Sequence, residues 1–183
     1  LLPKTAQHMD KLSLIRGINT NNGDHGKGKY QMEYGRNQMP GVDHPHLGAV
    51  CARSLERSDN PLPGHIHIPA GGRGNNAAYL GPRYASMGVN GKPPANSQRV
   101  GNLTAEMDGR RQAFRRRANE RFLSQRRTAE TEAYTQSFEQ ALGLMEKRDA
   151  FDVSKESARD HARYGQHDFG QHCLTARRML END

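Results

Sequence analysis

Apolar positions along this chain come in short runs separated by long polar stretches. Leu12-Ser13-Leu14-Ile15 is the first such run, and its length fits a strand better than a helix. Before it, residues 2–9 predict a short helix with Pro3 in the first turn. After it, a polar loop rich in Asn and Gly leads into a short helix over 29–34, stopped by Gly35 in the left-handed position that ends many helices. A helix is predicted over 44–55, with Leu47, Val50, Cys51 and Leu55 on one face as its packing stripe. His65-Ile66-His67-Ile68 alternates, which predicts a short strand with isoleucines on one side and histidines on the other.

Residues 70–98 are dominated by Gly, Pro and Asn and predict long loops, with a small apolar patch at Ala77 to Tyr84. From Leu103 onward the composition shifts to Arg, Glu, Gln and Ala. Two long helices are predicted over 103–125 and 128–147, weakened but not broken by Gly109 and Gly143. A short helix up to Arg163 follows, with Ser154 and Ser157 as capping residues, and a last helix over 169–181. The pattern divides the chain into a strand–loop–helix part over 1–99 and a helical segment of the same domain over 100–183.

Composition narrows the picture. The 183 residues are 33% hydrophobic and contain no Trp, and mean hydropathy is −0.97, so any core is thin or shared with residues outside this chain. No run approaches the ~18 consecutive apolar residues of a transmembrane helix, and no signal peptide is evident. The net charge of +7 points to anionic partners of some kind: nucleic acid, an anionic surface or an anionic substrate. Cys51 and Cys173 lack metal-ligand spacing and lie in helical apolar contexts, where buried free thiols are expected.

Candidate chemistry concentrates in the loop from Thr20 to Arg36. Its glycines allow close backbone approach to a ligand, Asp24 and His25 follow the predicted strand, and Lys27 and Lys29 are cations at a helix start. Asp24 as a plain N-cap, with both lysines solvated, is the competing explanation. Two His-x-His pairs, His44/His46 and His65/His67, have a metal-ligand residue type, but no third ligand lies in either local element. The densest basic run comprises Arg110, Arg111, Arg115, Arg116 and Arg117, with Arg121, Arg126 and Arg127. It reads either as a phosphate-binding face or as a helix paired with Glu130, Glu132, Glu139 and Glu146 of its neighbour. His167 and Asp168 form a second polar knot, equally explained as a capped helix entrance.

Taken in order, several blocks resemble a known family. These are Leu12-Ser13-Leu14-Ile15-Arg16, Asp24-His25-Gly26, Tyr34-Gly35-Arg36, His44-Pro45-His46-Leu47-Gly48 and Tyr79-Leu80-Gly81. Ala150-Phe151-Asp152-Val153-Ser154, Arg163-Tyr164-Gly165 and Gly170-Gln171-His172-Cys173-Leu174-Thr175-Ala176-Arg177-Arg178 complete them. Together they resemble the bacterial domain-of-unknown-function family 1501, sulfatase-like and of the alkaline-phosphatase superfamily. The resemblance implies an α/β fold with few short parallel strands here, a helix-rich C-terminal half, and divalent metals (Zn, Ca or Mg) at strand ends. It implies that the chain is a fragment of a longer, exported or periplasmic protein whose further metal ligands lie elsewhere, and that Asp24 and His25 are metal contacts. In sulfatases the nucleophile begins a short helix ending in Thr-Gly-Arg. The corresponding helix here ends Tyr34-Gly35-Arg36, which places His25 near the nucleophile position, without the Cys, Ser or Thr of a standard sulfatase.

The expectation is therefore part of a metal-dependent hydrolase of phosphate or sulfate esters, inactive alone. Asp24 and His25 contact metal or substrate, and Lys27 and Lys29 meet the anionic oxygens of a small-molecule or polysaccharide ester. The alternative is a non-catalytic module that binds nucleic acid or an anionic polysaccharide through the Arg-rich helix.

Overall fold

Local capping chemistry sets most of the helices, and packing decides where each one faces. The computed structural model describes residues 2–55, 62–69, 76–126 and 129–182. The chain separates into two units, Leu1–Val42 and Asp43–Asp183.

The first unit holds helix α1 (Pro3–Ala6), with proline in its first turn, a 3-10 turn at Met9–Lys11, and helix α2 (His25–Tyr34). Helix α2 starts four residues earlier than its apolar positions suggest. The Asp24 carboxylate accepts the Lys27 N–H at 2.8 Å, which satisfies one of the unpaired donors of the first turn. Gly35 ends the helix at φ 74°, and its N–H returns to the Gln31 carbonyl. The Asn22 side-chain amide ties loop to helix, donating to Thr20 O at 3.0 Å, Gln31 Oε1 at 2.8 Å and Asn37 Oδ1 at 3.2 Å. No described residue of this unit is buried.

The strand expected at Leu12 to Ile15 does not form. The backbone there belongs to no ladder, and Leu12, Leu14 and Ile15 are exposed. A strand is stable only beside a partner that accepts its hydrogen bonds, and the described residues of this unit offer none.

The second unit carries the core. Strands β1 (Ile66–His67) and β2 (Met87–Gly88) pair in parallel, Ile66 opposite Met87 and His67 opposite Gly88. The alternation expected over 65–68 holds where it matters: Ile66 and Ile68 pack on the core of Leu62, Val89, Ala150, Phe151 and Met179. Phe151, in a 3-10 turn at Arg148–Phe151, is 0% exposed and fills the centre. Among the described residues the fold is thus mixed, mostly helical, with one small parallel pair rather than several strands.

Helix α3 (Leu47–Ser54) packs through the opposite face from the one its apolar stripe predicts. Ala49 and Ala52 are buried, while Leu47, Val50, Cys51 and Leu55 face solvent, Leu55 at 78% exposure. Small side chains let the helix approach closely: a Cβ at Gly48 would collide with the His65 ring, and Gly64 lies against Ala52. Cys51 is accordingly an exposed thiol, not the buried one expected, and Cys173 is half-buried.

Helices α4 (Ala105–Gln125) and α5 (Ala129–Glu146) run through Gly109 and Gly143 unbroken. Their contact is polar. Asn119 donates to the Thr135 hydroxyl at 2.9 Å, and Arg116 grips Glu139 through Nε at 3.0 Å and Nη2 at 2.6 Å, with Arg115 on the same carboxylate. Helices α6 (Ala158–Tyr164) and α7 (Asp168–Glu181) cross where Gly170 sits on the Tyr164 carbonyl, leaving no room for a side chain. Ser157 caps α6 as expected, whereas Ser154 sits in a 3-10 turn capped by Asp152. The glycine-rich stretch at 70–75, the connector at 60–61, Arg127 and Thr128 lie outside the described residues.

Candidate functional site

The loop that leads into α2 is the site the sequence nominates, and its geometry follows from close backbone packing. A Cβ at Gly26 would stand 3.2 Å from Asp24 Oδ1, and one at Gly28 3.3 Å from Thr20 Oγ1. The glycines therefore let the loop fold over its own polar side chains. Asp24 spends Oδ1 on the Lys27 N–H, and the Gly28 N–H goes to the Asp24 carbonyl at 2.9 Å. His25 is the first residue of α2 and is exposed, as is Lys27. Lys29 lies one turn along, 3.6 Å from Glu33 in a surface pair that adds little stability. Asp24, His25, Lys27 and Lys29 thus share one short stretch of exposed helix start.

That stretch does not by itself make a metal site. Among the described residues no group of three or more His, Cys, Asp or Glu side chains stands close enough to hold an ion. Asp24 and His25 offer two ligating side chains and at most three donor atoms, below the four of a closed zinc site or the six of magnesium or calcium.

The two His-x-His pairs converge in the second unit, which their sequence separation hides. His46 and His65 stack with ring centroids 5.3 Å apart and planes 16° from parallel. His46 caps α3: its Nδ1 accepts the Gly48 N–H at 3.0 Å, so that nitrogen carries no proton. His65 lies near the Tyr84 carbonyl, 3.3 Å from Nδ1. Burial pushes the His65 pKa below its ordinary value, opposed by the Tyr84 bond and reinforced by His46 and His67. His44 is 7% exposed and its Nε2 has no hydrogen-bond partner among the described residues. His167 repeats the capping device at α7, accepting the Gly170 N–H through Nδ1 at 3.0 Å, so it serves as a helix cap.

The arginine run of α4 divides by face. Arg115 and Arg116 are held by Glu139, whose carboxyl the Arg116 hydrogen bonds lower to about 2, with Arg115 assisting and burial opposing. Arg110 pairs with Glu106 one turn back at 2.7 Å. Arg117 and Arg121 face solvent beside Phe114, which is 74% exposed.

No described helix is long and apolar enough to cross a membrane. No curated protein and no solved structure matches the chain. The resemblance to domain-of-unknown-function family 1501 is borne out over all 183 residues. Residues 1–183 match the family described as a protein of unknown function (DUF1501), and the chain belongs to that family.

Proposed function

We propose that this chain is part of a sulfatase-like hydrolase of phosphate or sulfate esters, with its anion-handling residues at the start of α2. One observation carries the reading: an exposed imidazole, His25, is the first residue of α2 next to a capping carboxylate and two residues from exposed Lys27. A helix N-terminus already favours negative charge, and an ester oxyanion there gains from the backbone dipole. Lys27 adds a cation on the same turn, and Lys29 a second, partly neutralised by Glu33. His25 is placed to hold or move a proton at an ester oxygen, or to attack phosphorus through a ring nitrogen. A divalent cation, bound when ligands beyond Asp24 and His25 are supplied, would polarise the ester oxygen.

The 183-residue chain alone is expected to be inactive. The test is hydrolysis of an aryl phosphate and an aryl sulfate by this chain and by the protein of the complete reading frame. The complete protein is expected to turn over one of them and to lose about a hundredfold or more on His25→Ala, the scale of removing a proton-transfer group. Unchanged turnover in that variant defeats the assignment.

A second reading is polyanion binding by the outward face of α4, favoured by the exposure of Arg117 and Arg121 beside Phe114. Binding of nucleic acid or an anionic polysaccharide would then weaken steeply with salt and vanish on charge reversal of those two arginines. Arg115 and Arg116, committed to Glu139, would matter to stability more than to binding.

A further inference from the structure

A cavity of about 490 Å³ opens where the start of α4 meets the end of α5 in the second unit. Its volume is within the ~300–1,000 Å³ range of small-molecule sites. Leu142 and Met145 give it an apolar side. Its charged lining is Arg99, Arg116 and Arg148 with Asp108 and Glu146.

The three guanidiniums differ in what they already hold. Arg116 is committed to Glu139 through two hydrogen bonds. Arg99 reaches Asp108 only at 3.5 Å, the outer limit of a hydrogen bond, although Asp108 is 8% exposed. The Gln112 amide is equally distant from the same carboxylate, at 3.5 Å. Arg148 Nε is buried and has no acceptor among the described residues. A buried guanidinium N–H without an acceptor is costly, and an oxyanion is the group that a planar guanidinium fork satisfies best.

From this we propose a binding site for a small organic oxyanion, a carboxylate or a phosphate monoester on a compact apolar body. Arg148 and Arg99 receive the anionic end, and the apolar body rests on Leu142 and Met145. Asp108 and Glu146 set its selectivity, because they repel surplus negative charge and disfavour polyanions such as a diphosphate or triphosphate. The site lies in a different unit from His25 and does not depend on the hydrolase reading.

The test is titration of the 183-residue chain with benzoate, phenyl phosphate and inorganic phosphate, followed by NMR at the Arg148 Nε–H and at the Leu142 and Met145 methyls. Saturable shifts at all three places with one of the organic anions are expected, and the better of the two identifies the anionic group. Inorganic phosphate is expected to bind at least about tenfold more weakly, since it leaves the apolar side uncovered. Arg148→Gln is expected to lower the affinity at least about tenfold, the loss of one charge-assisted pair, and His25→Ala to leave it unchanged. No saturable shift with any probe would overturn the proposal, as would shifts confined to Arg117 and Arg121 on the outer face of α4. Because the wild-type resonances report the site directly, an Arg148→Gln chain that fails to fold does not rescue it.

Discussion

Single side chains in this protein act chiefly as caps, and two of the caps are imidazoles. Asp24, Thr104 and Ser157 are ordinary capping residues. Asp24→Ala is expected to destabilise α2 by about 1 kcal/mol while Asp24→Asn stays close to wild type, read by thermal denaturation. If Asp24 also contacts metal in the complete protein, the Asn variant loses metal affinity while keeping its stability. His46 and His167 cap through an unprotonated Nδ1, and a protonated ring has no lone pair there to offer. His65, stacked on His46, has its folded pKa below the ordinary 6.5, so the unfolded chain binds the extra proton first. Its contribution to stability is complete above 6.5 and falls as pH drops through that value towards the lower folded pKa. The melting temperature should therefore fall between about pH 7.5 and about pH 5. His65→Gln, which cannot acquire that charge, should flatten the profile, and an unchanged slope would contradict the assignment.

At the scale of elements, the α6–α7 crossing and the α4–α5 pair rest on different physics. Gly170 lies on the Tyr164 carbonyl, so even one methyl group must push the two helices apart. Gly170→Ala is expected to cost about 3 kcal/mol, the upper end of usual overpacking, measured by urea unfolding. The crossing is further held by Glu156, which accepts from Arg177 Nη2 at 2.6 Å and also from Arg178, while Arg177 Nη1 reaches Asp160 at 2.9 Å. The α4–α5 pair instead hangs on Glu139. Its folded pKa of about 2 against 4.5 means that this stability is present above 4.5 and is lost as pH falls towards 2. Glu139→Gln should remove the acid-dependent loss in that window and separate the helices at neutral pH, seen as faster hydrogen exchange in α4. The ends of these helices were legible beforehand because caps are local: Gly35, Ser157 and Gly165 mark their helices within a residue or two. The packing face of α3 was not. Hydrophobicity pointed to Leu47, Val50 and Leu55, but close approach of the backbone selects alanine and glycine.

Across the whole molecule, burial is uneven. The second unit is organised around Phe151, and Phe151→Ala is expected to cost about 3–5 kcal/mol, a large share of a typical domain's stability. The first unit has no buried residue among those described and relies on local bonds such as those of Asn22. Its amides, those of α2 included, should exchange with solvent faster than those around Phe151 and in α7, and equal protection would show a cover that local bonds do not provide. From the sequence alone came the main helices, the Asp24 and Ser157 caps, the family and the nomination of Asp24 and His25, since turn chemistry and residue order act over a few positions. Tertiary structure decided that Leu12 to Ile15 stays unpaired, that two distant His-x-His pairs meet, that Arg115 and Arg116 of α4 are spent on α5, and that Phe151 is the centre. Those outcomes depend on partners tens of residues away, and a β-ladder, a stacked ring or a buried side chain exists only once the partner is in place.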